Sequence, residues 1–326
     1  MRCILSESSD TYFNLASEEY LLKCFQEDVF LLYRNRPSLV VGKHQNTLAE
    51  VNLAFVKENE IIVARRISGG GTVFHDLGNL NFAFITRGKE GDLVDYRRFT
   101  LPIIEALADL GLDVRLGDRN QLLLGDLKIS GTASHVFKQR VLHHGTLLFS
   151  TEMENLSKAL KAQSEWFKDR AVKSVKSDIT NLRDHLDQNM HIGEFQNRIY
   201  SHILKSAAGN YSYTYSDHDL KEIHKLRESK FSTWEWNFGY SPKYTFEKSM
   251  KLTSGSIHIQ LMVKKGIIQE VGIKGDFMSN KGIQMLQDAL TGGLHDPESL
   301  RIRLSGIRVS DHVTGLGNEE LLSGLF

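Results

Sequence analysis

Residues 61–76, IIVARRISGGGTVFHD, place two arginines, a serine and three consecutive glycines directly after an apolar run, followed by His75 and Asp76. Adjacent glycines let main-chain N–H groups approach an anion that side chains would hold off, and the arginines add charge-assisted donors at the same place. Two readings fit these residues: an anion cradle, or a flexible hairpin tip carrying two solvated arginines. The segment is not the nucleotide loop GxxxxGK[ST], because no Lys-Ser or Lys-Thr follows, and the chain has no strand-to-helix GxGxxG.

Residues 125–150, GDLKISGTASHVFKQRVLHHGTLLFS, are the second stretch with chemistry in them. Lys128 precedes a Ser-Gly-Thr turn and has apolar neighbours, so it reads either as a fixed cation for a phosphate or developing oxyanion or as an exposed strand lysine. His143 and His144, neighbours in a strand, point to opposite faces, which argues against joint metal ligation. Residues 171–182, AVKSVKSDITNL, have no clear period and read as a loop that orders on a ligand or as a solvated connector.

The elements that position these stretches are legible in the pattern. Residues 14–25 carry a helical stripe with Asn14 as the expected N-cap. Short apolar runs at 29–33, 38–42, 61–65 and 80–85 suit strands buried on both faces, with further strands at 121–130 and 141–149. Helical spacing recurs at 96–110, ended by Gly111, and at 153–161, 194–206 and 218–228. From about 245 the texture changes: Ile257, Ile259, Leu261 and Val263 alternate with outward residues, a Lys264-Lys265-Gly266 turn makes a hairpin, and helices follow. These features predict domains at 1–244 and 245–326, joined near Ser241 to Lys248.

Composition narrows the class of partner. Forty Lys plus Arg balance forty Asp plus Glu, so no global basic field holds nucleic acid or an anionic membrane. Cys3 and Cys24 are the only cysteines, too few for a cysteine metal cluster, and no run is long enough to span a membrane. A cytoplasmic protein is the expectation.

With those residues in view, the chain resembles the lipoate-protein ligase family. The resemblance rests on SDTYFNLASEE (9–19), LYRNRPSLVVGKHQN (32–46), ARRISGGGTVFHDLGNLNFAF (64–84), LKISGTASHVFKQRVLHHGTLL (127–148), KSVKSDITNL (173–182) and TWEWNFGYSPKY (233–244), in family order. It implies an α+β fold, a large mixed-sheet domain of the biotin/lipoate-protein ligase (class II synthetase-like) type with a small α+β accessory domain. It also implies a two-step reaction, in which lipoate and ATP, with Mg²⁺, give lipoyl-AMP, and a carrier lysine then takes the lipoyl group.

Carried over by motif, the resemblance implies that ATP and lipoyl-AMP lie against Arg66, Gly69, Gly70, Gly71, Thr72, Val73, Phe74, His75, Lys128, His144, Gly145, Lys173, Ser174, Val175 and Asn181. Lipoate is expected against Ser68, Gly69 and Lys128, with Lys128 the catalytic residue and no metal ligands assigned. The implied partners are apo lipoyl domains of 2-oxoacid dehydrogenase complexes and the glycine-cleavage H protein. Two positions depart from the family pattern: Asn120-Gln121-Leu122 where many members read Asn-Asp-Leu, and Gly42-Lys43 where Gly-Arg or Gly-Gln is usual. Alternatives within reach are a lipoyltransferase using preformed lipoyl-AMP, and a non-catalytic lipoyl- or anion-binding module. Octanoyl transfer lacks a cysteine in any motif, and biotin-protein ligase lacks its own glycine-arginine loop here. Arg65, Arg66, Lys128, Lys138, Arg140, Lys173 and Lys176 are expected in or beside the site as a basic mouth.

Overall fold

The computed structural model describes residues 1–88, 93–160, 165–175, 177–187, 189–253 and 255–326; Lys161 and Lys176 of the stretches above lie outside them. The chain packs into two units, one of 1–43, 54–159 and 173–233, the other of 44–53, 160–172 and 234–326.

The first unit is built on a six-stranded mixed sheet in the order Thr132–Phe137, Arg140–Leu148, Asn79–Arg87, Val29–Arg34, Arg2–Leu5, Tyr211–Ser212. Its first four strands pair antiparallel and the last two join in parallel. Strands 29–34, 79–87 and 140–148 are buried almost throughout, which their continuous apolar runs require. Phe30, Phe82 and Phe84 share a core with Phe99 and Ile103 of helix Tyr96–Ala108 and Phe195 and Ile199 of helix Ile192–Lys205. A three-stranded sheet, Ile62–Arg65, Ser38–Val41, Val73–His75, brackets the glycine segment, and a second one, Val114–Leu116, Leu122–Leu124, Leu127–Ser130, carries Lys128.

Three sequence expectations need correction. Helix Thr11–Cys24 starts at Asp10, whose carboxylate accepts from the N–H groups of Tyr12 and Phe13; Asn14 is a buried residue of the helix interior. The run 121–130 turns at Gly125, φ +59°, and gives two strands where one was read. Strand Thr132–Phe137, polar in sequence, escaped the apolar pattern because it is an edge strand with mostly half-buried residues.

In the second unit the alternation holds to the residue: Ile257, Ile259, Leu261 and Val263 are fully buried, packed with Leu286, Leu290, Leu300 and Leu321 of three helices. The four-stranded sheet runs Phe167–Asp169, Tyr244–Leu252, Gly255–Lys264, Ile267–Asp276. Lys265 and Gly266 both take positive φ, 52° and 71°, as a tight hairpin turn demands.

Helix Thr11–Cys24 is polar on a buried face and is held by ion pairs. Glu19, 3 % exposed, meets the ammonium groups of Lys23 at 2.6 Å and Lys230 at 2.5 Å. Burial pushes its carboxyl up, but the two lysines outweigh that and hold it below the ordinary carboxylate range. A carboxyl whose folded pKa is depressed contributes stability above its unfolded pKa and loses it as pH falls through the folded value. The wild type is therefore expected to lose stability more steeply than Glu19→Gln on acidification below about pH 4. Urea denaturation midpoints across a pH series check this; parallel slopes for the two proteins would contradict it.

Candidate functional site

The glycine segment passes over the end of strand Ser38–Val41, between the strands that flank it, and two features set its path. Gly42 has no Cβ, and one placed there would lie 2.0 Å from the carbonyl oxygen of Gly70. Gly70 itself sits at φ +90°. The loop and the Gly42 backbone therefore touch directly.

Arg66 is the second feature, and it departs from the picture of a solvated arginine. It is 6 % exposed, and its Nε donates to Ser68 Oγ at 3.0 Å. Nη1 donates to the Val40 carbonyl at 2.9 Å; Nη2 donates to the carbonyls of Gly69 at 2.5 Å and Gly71 at 2.8 Å. The guanidinium thus ties both ends of the triple glycine to the neighbouring strand. Burial lowers its pKa to about 10, which leaves it charged at neutral pH. With the carbonyls of Gly69 and Gly71 turned inward, the N–H groups of Gly69 to Gly71 donate to no acceptor among the described residues.

Behind the loop a buried polar chain supports Ser68. His144 Nε2 lies 2.6 Å from Ser68 Oγ, and its Nδ1–H donates to the Glu18 carboxylate, 2.9 Å from both oxygens. The Tyr33 hydroxyl donates to Glu18 at 2.9 Å, and burial beside that carboxylate raises the phenol well above its ordinary pKa. Glu18 and Tyr33 were missed by sequence reasoning. The one available signal for Glu18 was a pair of adjacent carboxylates inside an otherwise apolar helix. His143, on the opposite face of its strand, stacks on Phe99 with centroids 3.9 Å apart and faces Ser134 Oγ at 2.7 Å; burial pushes it down to about 4. It is structural.

Lys128 and the segment 171–182 close the other side. The Lys128 N–H donates to the Asp178 carbonyl at 2.9 Å and its carbonyl accepts from Thr180 N–H at 3.1 Å. The same segment brings Ser174 to the glycine loop, where its Oγ accepts from the Thr72 N–H at 2.9 Å. A Cβ on Gly71 would lie 3.1 Å from that oxygen. Lys128 Nζ has no hydrogen-bond or ion-pair partner among the described residues, and burial, with Arg119 nearby, lowers its pKa. The ammonium lies beside Gly131, where a Cβ would be in ordinary contact with Nζ at 3.6 Å.

The remaining expected residues divide. Lys173 and Val175 are exposed on the same segment. Thr72 and Phe74 are buried and Val73 half-buried in the strand leaving the loop. Asn181 has both ends of its amide on Thr151, accepting from its N–H at 2.9 Å and donating to its carbonyl at 3.0 Å. Gly145 lies within the sheet, where a Cβ would lie 2.6 Å from the Phe82 ring. Of the expected basic mouth, Arg65 is fully buried with Nη1 on the carbonyls of Gly42 and Lys43, and Arg140 donates to those of Gln26 and Glu27. Neither is a rim charge. Gln121, at the position where the family pattern has Asp, accepts from the Arg119 N–H at 2.9 Å and shapes its own turn. Asp76 accepts from the N–H groups of Gly78 and Glu152, and no cluster of His, Cys, Asp or Glu suited to a metal occurs among the described residues.

Fold and site together define an α+β protein of the biotin/lipoate-ligase type with a separate C-terminal domain. Residues 10–204 match the model of the lipoyl protein ligase A/B catalytic domain, and residues 241–325 that of the bacterial lipoate protein ligase C-terminus. Lipoate–protein ligase 1 of Staphylococcus aureus is 39 % identical over 316 residues, 96 % of each chain. Among solved structures, lipoate-protein ligase A bound with ATP is 29 % identical with a TM-score of 0.64, covering 73 % of this chain and 98 % of that one. A bi-partite lipoate protein ligase of Thermoplasma acidophilum, described with its E2 lipoyl domain, is 28 % identical with a TM-score of 0.63, covering 73 % and 96 %. The chain belongs to the lipoate-protein ligase family. No helix among its described residues is long and apolar enough to cross a membrane.

If Arg66 holds the loop, a point charge cannot replace it, because one ammonium does not reach acceptors on Ser68, Val40, Gly69 and Gly71 together. Arg66→Lys is expected to raise amide exchange about tenfold or more at Lys43 and Thr72, whose N–H groups bond to Ser68 and Ser174. Hydrogen exchange read by NMR or mass spectrometry checks it; unchanged exchange would show that the loop keeps its shape without the guanidinium.

Proposed function

We propose that this chain activates lipoate with ATP and passes the lipoyl group to a lysine of an apo lipoyl domain. In the first step a lipoate carboxylate oxygen attacks the α-phosphorus of ATP; the bond to pyrophosphate breaks and lipoyl-AMP forms. In the second, the carrier lysine's amine attacks the acyl carbonyl, AMP leaves, and the amine nitrogen gives up a proton. The observation that carries this reading is the half-buried ammonium of Lys128, which has no hydrogen-bond or ion-pair partner among the described residues and sits on a strand whose neighbouring segment also meets the glycine loop through Ser174.

Two anions must meet in the first step, and a negative oxygen grows on the acyl carbon in the second. A partly desolvated cation and fixed backbone donors lower both barriers. Lys128 is the residue with that freedom, since Arg65 and Arg66 are held by backbone carbonyls. The segment 171–182 shields the acyl phosphate from water on one side. Mg²⁺ is counted here with ATP as substrate, for the chain offers no carboxylate cage among its described residues. The ATP-bound relative and the relative described with a lipoyl domain support the choice of nucleotide and acceptor; the H protein of glycine cleavage is an acceptor of the same kind. We place the reaction in the cytoplasm.

A second reading is transfer from preformed lipoyl-AMP with little activation of its own, favoured by Gln121 in place of a carboxylate. Incubation with an apo lipoyl domain and either lipoate plus Mg-ATP or synthetic lipoyl-AMP, read as carrier mass, separates the two. We expect a mass gain in both arms; gain with lipoyl-AMP alone would make the chain a transferase. Lys128→Ala is expected to lower both rates by about two to three powers of ten. Wild-type turnover by the folded variant would remove Lys128 from the reaction.

A further inference from the structure

One buried donor near the arginine clamp is left without an acceptor, and two asparagines determine which atom it is. Asn14 is fully buried in helix Thr11–Cys24. Its Nδ2 donates to the carbonyls of Ser8 at 2.8 Å and Arg34 at 3.2 Å, and its Oδ1 accepts from the Ser6 hydroxyl at 2.8 Å. Carbonyl oxygens only accept, so this amide cannot turn over. Nδ2 of Asn14 also lies 2.9 Å from Asn35 Oδ1, and reversing Asn35 would set two donors against each other. Asn35 Nδ2 therefore donates to His75 Nδ1 at 3.0 Å. A ring nitrogen that accepts carries no proton, so the proton of the neutral imidazole sits on Nε2.

That Nε2 is buried and has no hydrogen-bond partner among the described residues. Burial, with Arg66 and His144 close by, pushes His75 down to about 3, so the ring stays neutral across the physiological range. Buried polar groups in folded proteins nearly always have partners, so an orphan beside the arginine that ties the glycine loop is met by an ordered water or by an atom of the ligand.

We propose that Asn14 and Asn35 are positioning residues that hold His75 as a neutral Nε2–H donor for an uncharged acceptor atom of the bound acyl substrate. The inference rests on the acyl-activation reading above. A phosphate oxygen is better met by a cation, which Lys128 supplies; a neutral N–H suits a carbonyl oxygen or a ring sulfur, which carry no full charge. The relay adds direction without adding charge. It explains why an asparagine of the first helix and another after strand Val29–Arg34 reach a histidine that follows the glycine loop.

The test uses the whole protein labelled with nitrogen-15 in histidine. In the wild type, the His75 ring is expected to show a protonated Nε2 and a bare Nδ1 from about pH 5 to about pH 9, and the Nε2–H signal shifts on adding lipoyl-AMP. Asn35→Asp is nearly isosteric but presents a carboxylate to Nδ1, so the ring is expected to carry its proton there. KM for lipoate then rises about tenfold, the size of one neutral hydrogen bond, while ATP affinity stays the same. Octanoate identifies the acceptor: an equal rise in KM for octanoate assigns the carbonyl, and a rise confined to lipoate assigns the ring sulfur. A wild-type ring protonated on Nδ1 overturns the relay without any variant. Lipoyl-AMP that shifts nothing, with KM unmoved in Asn35→Asp, overturns the ligand contact. A wild type that lipoylates no carrier overturns the functional reading, while the tautomer result still judges the relay.

Discussion

A guanidinium taken out of water must find acceptors, and the site follows from how Arg66 meets that demand. Its acceptors are Ser68 Oγ, the Val40 carbonyl of strand Ser38–Val41 and the carbonyls of the triple glycine. Turning the Gly69 and Gly71 carbonyls inward points the N–H groups of Gly70 and Thr72 the other way, and Ser174 Oγ takes that of Thr72. An arginine that reads in sequence as a ligand for phosphate is thus spent on tying the glycine loop to the neighbouring strand. The glycines are needed twice over, since Gly70 takes a left-handed φ and Gly42 admits the Gly70 carbonyl.

Strand Arg140–Leu148 divides the labour around this clamp. His143 faces helix Tyr96–Ala108 and belongs to the core; His144 faces helix Thr11–Cys24 and joins the chain from Tyr33 and Glu18 to Ser68. Each buried polar atom along that chain has a fixed partner, so its members act together: moving one changes the hydrogen-bond geometry of the next. Lys128 differs in kind. Its N–H and carbonyl are both bonded, while its ammonium has no partner among the described residues.

Local pattern carried a large part of the fold. The alternation at 256–263, the helix at 96–108 and the buried strands at 29–34 and 79–87 were legible because period and burial are set by neighbours in sequence. The glycine segment and Lys128 were legible as chemistry for the same reason. What lay hidden depends on distant partners: Glu18 meets His144 across 126 residues, and the Arg66 acceptors include a carbonyl 26 residues away. Asn14 shows how this misleads, since an asparagine at the head of an apolar stripe has the look of an N-cap until Asp10 is seen to fill that place. Strand Thr132–Phe137 was lost because an edge strand has no need of the apolar run by which strands are found.

Glu18, His144, Ser68 and Arg66 form one bonded unit against the glycine loop. Glu18 and Ser68 are each bonded to His144, on Nδ1 and Nε2 respectively. A double-mutant cycle of Glu18→Gln and Ser68→Ala, with affinity for lipoyl-AMP read by calorimetry, tests it most directly. If the chain acts as a unit, the double variant is about as weak as the weaker single one, and the coupling is about 1 kcal/mol or more. Losses that simply add would mean that the two residues act separately and that no buried relay holds the loop.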